Sequence, residues 1–444
     1  MTPAARLAAS AGLLAAIEAE PKRPADAVAN DWLRARRFIG GGDRRDITER
    51  LWAMVRQRMR LDWHLARVGV APEARHGNQP TARLLLGAHL VLVEGYKMHE
   101  LDQGFPGGRF ALDQIDAAER RVFAALAGRP FLAPDMPEAV RLNLPEWLLP
   151  AFRERFGARL AEEAAAMDRA APLDLRANLL HGTRETAAAA LAAEGIATEP
   201  TPYSPWGLCV ADRRPVTATE AFKTGLIEVQ DEGSQLVALL ADARPGMRVA
   251  DYCAGAAGKT LAMAATMGNR GHIVACDTSV PRLEGAVRRL RRGGVSNAER
   301  HLLVPGDKWA KRRAGQFDRV LVDAPCTGTG TWRRNPDARL RTTPRDLTEL
   351  VALQYEILGR AAELVRPGGR LIYATCSVLR AENEDQMQRF LEGRPDFAPL
   401  SSARLLSSLA PGAEVADVGE WLLLSPGRHG TDGFFAAVLE RRPP

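Results

Sequence analysis

The sequence predicts an α/β domain with a largely parallel sheet, preceded by an all-α domain and a small α+β connector. Three observations lead there. From Arg248 onward short apolar runs alternate with helical stretches, residues 1–130 show helical spacing without alternating strands, and Gly- and Pro-rich segments separate the two regions. A length of 444 residues suits two or three domains, expected at 1–130, 131–225 and 226–444. With 46% hydrophobic, 26% charged and 6% aromatic residues, the composition excludes disordered, fibrous and membrane-spanning classes.

The helical domain opens with an Ala/Leu run from Leu7 to Ile17. Only Arg6 precedes it and Glu18 and Glu20 follow at once, so it reads as a first amphipathic helix and not as a signal peptide. Leu84 to Val93, the most apolar stretch, is too short to span a membrane. A further helix is expected to start at Asp43 as its N-cap and to bury Ile47, Leu51, Met54 and Val55. Charge is concentrated here. Residues 1–130 hold 20 Lys and Arg against 15 Asp and Glu, whereas 131–444 hold 40 against 39, so the first third carries most of the net +6. Between Arg34 and Arg60 stand nine arginines and three acids, Arg44, Arg45, Arg56 and Arg60 among them. Lys or Glu would solubilise a helix equally well, but Arg also offers planar bidentate donors to phosphate, which favours RNA contact over a merely solvated face.

A break at Gly104–Gly108 and Pro-spaced text from Pro130 to Pro150 are expected to mark the change of domain. The connector then reads as a strand at Leu173–Asn178, a helix at Arg184–Glu194 stopped by Gly195, and a strand at Trp206–Val210. It is either a small RNA-recognition-type module or a prop for the next domain.

Strands of the main sheet are expected at Val249–Cys253, His272–Cys276, His301–Val304, Arg319–Asp323, Arg370–Thr375, near Trp421–Leu424 and at Phe434–Leu439. In such sheets ligands lie beyond the carboxyl ends of the strands. After the first strand comes Asp251-Tyr-Cys-Ala-Gly-Ala-Ala-Gly-Lys-Thr260, whose small residues allow close backbone approach ahead of a helix N-terminus. A triphosphate-binding loop would need Gly where Cys253 stands, and Gly255 lacks the partner glycines of a dinucleotide fingerprint. Asp277, 26 residues after Asp251, suits a ribose diol, and Asp307 follows the third strand within reach of an adenine edge. A nucleoside site without a phosphate cradle points to S-adenosylmethionine.

Of the five cysteines none is spaced as CxxC, which argues against a disulfide framework and a metal site and for a reducing cytoplasm. Cys209 and Cys276 read as buried structural residues. Cys326, in Asp323-Ala-Pro-Cys-Thr-Gly-Thr-Gly330, and Cys376, in Thr375-Cys-Ser377, end adjacent strands in small polar turns, where reactive thiols are found. A thiolate beside a methyl donor has a defined use. Carbon 5 of a pyrimidine becomes nucleophilic once a thiolate adds to carbon 6, and an acid at the ring-nitrogen edge, a place suited to Asp323, stabilises the charge that develops.

These turns, with Gln230-Asp-Glu-Gly-Ser234, Arg333-Arg-Asn-Pro336 and His429-Gly-Thr-Asp-Gly-Phe434, make residues 145–444 resemble the Sun/RsmB family of RNA cytosine-5 methyltransferases. The text around Asp43-Arg-Arg45 and Arg60-Leu-Asp-Trp63 resembles the NusB-like domain of RsmB-type members. The resemblance implies a class I S-adenosylmethionine-dependent fold with a Rossmann-like mixed sheet. Cys376 would be the nucleophile, and Cys326 would assist breakdown of the adduct. Cys253, Ala254, Gly255, Ala256, Ala257, Gly258 and Lys259, with Asp277, Asp307 and Asp323, would hold the cofactor. Arg333 and Arg334 join the arginines named above as RNA-contacting candidates. A monomer acting on 16S ribosomal RNA is expected; transfer RNA and a catalytically silent ribosome-assembly role are the alternatives. One departure stands out. The family writes Ala-Ala-Pro-Gly-Gly-Lys-Thr in the first loop, so Ala257 replaces a glycine where a left-handed backbone is expected, and Gly255 is expected to absorb the change.

Overall fold

In a computed structural model the protein divides into two compact units, Met1–Asp168 with Trp332–Thr342, and Arg169–Thr331 with Thr343–Pro444. Residues 1–69, 75–76, 79–211 and 215–443 are described.

The first unit is helical. Its opening helix, Pro3–Ala19, starts on a Thr2 side-chain cap, and Leu7, Leu13 and Leu14 are buried in one core with Ile47, Leu51, Met54 and Val55 of helix Gly41–Arg56. Asp43 is not the N-cap. The helix begins two residues earlier, behind Gly40, and the Asp43 carboxylate instead meets the Met1 amine and Arg6. The break at Gly104–Gly108 and the Pro130–Pro150 stretch do not end this unit either. Proline and glycine there punctuate turns between short helices, whose Leu144, Leu148, Phe152, Phe156, Leu160 and Met167 are buried, and the boundary falls after Asp168. Trp332–Thr342, which follows the Cys326 turn in sequence, belongs to this unit too. Fully buried Trp332 stacks on Phe152 with ring centroids 5.4 Å apart, and the Arg339 guanidinium lies 4.8 Å from the indole centroid.

The second unit carries two sheets. Strands β1 (Leu173–Ala177), β2 (Thr198–Pro200), β3 (Gly207–Val210) and β4 (Ile227–Val229) form an antiparallel sheet in the order β2-β3-β1-β4. The strands β5 (Arg248–Asp251), β6 (His272–Asp277), β7 (Ala298–Leu302), β8 (Phe317–Asp323), β9 (Val365–Thr375), β10 (Phe397–Leu400), β11 (Leu422–Leu424) and β12 (Phe434–Arg441) form an eight-stranded sheet in the order β10-β12-β9-β8-β5-β6-β7, with β11 on β12. The five strands from β9 to β7 are parallel, and β12 runs antiparallel to β9. Their centres are apolar on both faces, as parallel strands covered by helices require: Val320, Leu321, Val322, Leu371 and Ile372 are all fully buried. Sequence order reverses between β5 and β8, which makes that edge the switch point where such sheets take ligands.

Candidate active site

Register decides which residues meet at this edge. Asp323 pairs with Ala374 and Leu321 with Asp251, so the β8 and β9 turns leave the sheet side by side, next to the loop after β5. Consequently Cys326 Sγ lies 3.4 Å from Cys376 Sγ. The turns are tied directly, Gly330 N–H donating to the Cys376 carbonyl at 2.9 Å and Gly433 N–H to the Gly330 carbonyl at 2.8 Å. A Cβ on Gly330 would collide with the Gly433 carbonyl, so this crossing tolerates only glycine.

The charges around the two sulfurs differ. The buried Lys259 ammonium donates to Asp323 at 2.6 Å; burial pulls this ammonium down, but Asp323, with smaller help from Asp251 and Cys376, more than offsets it and holds Lys259 protonated. The Cys326 thiol is pushed up by its hydrogen bond to Cys376, by burial, and by the charges of Cys376 and Glu382. Either sulfur can be the donor at this distance, and the upward push on Cys326 favours it for that part.

The loop after β5 turns through two left-handed residues, Gly255 at φ +54° and Ala257 at φ +63°. Ala257 thus takes the glycine-like angle itself, and Gly255 does not relieve it. Enforcement comes from the surroundings: Ala257 is fully buried, Ala257 N–H donates to the Ala254 carbonyl, and the Ala256 carbonyl accepts from Arg289 at 2.8 Å. Helix Gly258–Thr266 starts there without a side-chain cap. From the smaller sheet, buried Arg176 donates to the Gly258 carbonyl at 3.0 Å and to Gln230 at 2.8 Å. That sheet is thus a support for the loop, whatever else it binds. Asp277 accepts from Gly255 N–H at 2.9 Å and from Ser279 N–H at 2.7 Å. Asp307 accepts from Trp309 N–H at 2.8 Å and contacts His301 Nε2 at 2.6 Å; the His301 hydrogen bond holds its carboxyl below the usual range. Burial pushes the Cys253 and Cys276 thiols up, as it does in unreactive cysteines.

Asp251 sits behind the loop, 1% exposed, accepting from Thr260 Oγ1 at 2.6 Å. Burial raises its carboxyl to about 7. An acid raised in the fold binds its proton more tightly folded than unfolded, so its contribution to stability is present below about pH 4 and is lost as pH rises to about 7. Asp251→Asn is therefore expected to gain melting temperature relative to wild type between pH 5 and 7.5. A difference that stays constant with pH would count against this.

The RNA-contacting candidates divide. Arg45 is exposed and Arg44 is partly buried, donating to the Ile39 carbonyl at 2.9 Å. Arg60 and Arg333, expected on the surface, are buried at 8% and 6% exposure. Arg60 is committed to Asp168 at 2.8 Å and to the Arg141 carbonyl at 2.7 Å. Arg56 donates to the carbonyls of Trp52 and Arg333, each at 3.3 Å, and Arg334 is half-buried. A cluster of arginines in sequence carries no sign of which face each occupies.

Comparisons with known proteins agree with this architecture. Residues 238–440 match the family described as 16S rRNA methyltransferase RsmB/F, and residues 144–217 match the RsmF/B-like ferredoxin-like domain. The probable ribosomal RNA small subunit methyltransferase B of Synechocystis is 31% identical over 90% of this chain and 91% of its own. Ribosomal RNA small subunit methyltransferase B of Vibrio cholerae is 34% identical over 69% of this chain and 67% of its own. A methyltransferase homologue from Pyrococcus horikoshii superposes with a TM-score of 0.59 at 29% identity, over 70% of this chain and 100% of that one. The ferredoxin-like match takes in β1 to β3 of the smaller sheet and the methyltransferase match the strands of the larger one, which has the class I S-adenosylmethionine-dependent methyltransferase fold, and the chain belongs to the RsmB/F methyltransferase family.

Proposed function

We propose that the protein transfers a methyl group from S-adenosylmethionine to carbon 5 of a cytosine in RNA, with small-subunit ribosomal RNA as substrate, through a covalent adduct at Cys376. The observation that carries this reading is the pair of sulfurs 3.4 Å apart beside the Lys259–Asp323 ion pair. Relatives named for small-subunit ribosomal RNA methylation support the substrate class.

The loop fits the cofactor. A Cβ on Gly255 would meet nothing within 4 Å, so the backbone is open to a ligand there. The uncapped start of helix Gly258–Thr266 suits a carboxylate, and Asp277 and Asp307 offer acceptors for a diol and an amino group. When bound, S-adenosylmethionine supplies an electrophilic methyl group. The residues of this chain do the rest. Cys376, its proton lost to solvent, adds as the thiolate to carbon 6: a C–S bond forms as the π bond between carbons 5 and 6 breaks, its electrons pass to the ring-nitrogen edge, and carbon 5 becomes the nucleophilic end of an enamine. Lys259 and Asp323 face the polar edge of the ring and stabilise the charge that develops. After transfer a base takes the proton from carbon 5, the C–S bond breaks, and the Cys326 proton is at hand for the departing Cys376 sulfur. A stacked cytosine must first be turned out, at a few kcal/mol, least for an unpaired base.

Bisulfite sequencing of ribosomal and transfer RNA from cells with and without the gene tests the substrate. Loss of one protected cytosine in 16S ribosomal RNA is expected. Loss confined to transfer RNA would replace the substrate, and no loss in either would remove the reading.

The first unit, read as NusB-like, would add phosphate affinity. Arg44 lines a cavity of ≈ 370 Å³ with Arg34, Arg37, Asn30 and Leu33, a better phosphate site than the buried Arg60. Changing Arg34 and Arg37 together to alanine should lower the dependence of log affinity on log salt by about 0.7 for each phosphate no longer neutralised, for a single-stranded substrate. Filter binding at several salt concentrations measures the slope; an unchanged slope removes these residues from the interface.

A further inference from the structure

The two thiols stand on separate turns, yet one dipeptide holds both. The carboxylate of fully buried Glu382 accepts from Thr327 N–H at 2.9 Å, from Thr327 Oγ1 at 2.5 Å and from Gln354 Nε2 at 2.9 Å. Its neighbour Asn383, equally buried, accepts from Thr375 Oγ1 at 2.6 Å and donates Nδ2–H to the Ser377 carbonyl at 2.9 Å. Thr327 directly follows Cys326, whereas Thr375 and Ser377 flank Cys376. Tyr373 Oη donates to the Glu382 carbonyl at 2.7 Å and fixes the dipeptide against β9.

Every partner of the Glu382 carboxyl is a donor, the pattern of an ionised acid. No Lys or Arg pairs with it among the described residues. The other titratable groups whose charge couples to the thiols are the thiols themselves, Lys259 to Cys376 and Tyr373 to Cys326. Lys259 is engaged by Asp323, and the Tyr373 hydroxyl is pushed up by burial and by Cys326 and Glu382. The Glu382 carboxylate, held on Thr327 beside Cys326, is therefore the charge near that thiol that no described Lys or Arg offsets.

We propose that Glu382 is a positioning residue that fixes the Cys326 turn through Thr327 and, by its uncompensated charge, keeps Cys326 protonated as the hydrogen donor to Cys376. Which sulfur attacks rests on the cytosine-5 reading above. The retention of the Cys326 proton does not.

Iodoacetamide labelling of the full chain from pH 6 to 10, read peptide by peptide by mass spectrometry, follows each thiol without RNA or cofactor. In wild type, Cys326 labelling is expected to rise only at higher pH than that of N-acetylcysteine. Glu382→Gln keeps the shape and removes the charge; it should raise the Cys326 rate at pH 8 by about tenfold, the effect of roughly one unit from a nearby charge, with a smaller change at Cys376. Glu382→Asp, which keeps the charge, should restore the wild-type pH dependence. Unchanged Cys326 labelling in Glu382→Gln, or equal acceleration at both cysteines, would overturn the proposal. So would a wild-type Cys326 that titrates like N-acetylcysteine, a result that requires no variant to fold. Failure of the cytosine-5 reading shows separately, in the turnover of the cysteine variants.

Discussion

Replacing Cys376 by alanine is expected to abolish the covalent complex with RNA and to lower turnover by on the order of 10⁴-fold or more, as loss of a covalent nucleophile does elsewhere. The paired variant gives the assignment its force. With the sulfurs only 3.4 Å apart, either one could reach carbon 6, so activity alone cannot tell attack from release. Cys326→Ala is expected to keep the adduct and to let it accumulate, because the group beside the departing sulfur is gone. Denaturing gels of each variant incubated with RNA and S-adenosylmethionine read the adduct as a band of raised mass. A Cys376→Ala protein that turned over normally would move the nucleophile to Cys326 and reverse the scheme.

In the first unit, the largest expected effect on stability comes from Asp168. Its carboxylate meets Arg60 at 2.8 Å and Arg339 at 2.7 Å, and accepts from Asn143 at 2.8 Å. Arg60 is 9% exposed and Arg339 2% at the side chain, with Asp168 at 10%. Removing one partner of a buried ion pair leaves charge without compensation, which costs about 3–5 kcal/mol. Asp168→Ala leaves two guanidinium groups in that condition. We expect the urea midpoint of the first unit to fall accordingly, followed through the fluorescence of Trp332, which Arg339 covers. An unfolding free energy unchanged within about 0.5 kcal/mol, the range of surface substitutions, would mean that solvent reaches the cluster.

Much of the second unit was legible because its strands must be apolar on both faces. Val320 to Val322 and Leu371 to Tyr373 read as strands without ambiguity, and their ends name Asp323, Cys326 and Cys376. The peripheral strands Thr198–Pro200 and Phe397–Leu400 were not legible, since three or four residues with a proline carry no period. Proximity of the sulfurs followed from adjacent strand ends, but nothing in the residue pattern hints that Glu382 and Asn383 are buried. Only their place just after the Thr375-Cys-Ser377 turn could have singled them out. The burial of Arg60 was hidden for the converse reason: an arginine that closes a buried carboxylate looks, in sequence, like one that awaits a phosphate.

The first unit also sets an order on synthesis. Trp332–Thr342 belongs to its core, so a ribosome that has finished Asp168 has not yet made the indole that stacks on Phe152 or the second guanidinium for Asp168. At 5–20 residues per second, about 8–33 s of further elongation separate the two segments. During that interval the helical unit is an unfinished surface, and the completed fold arrives from the later part of the chain.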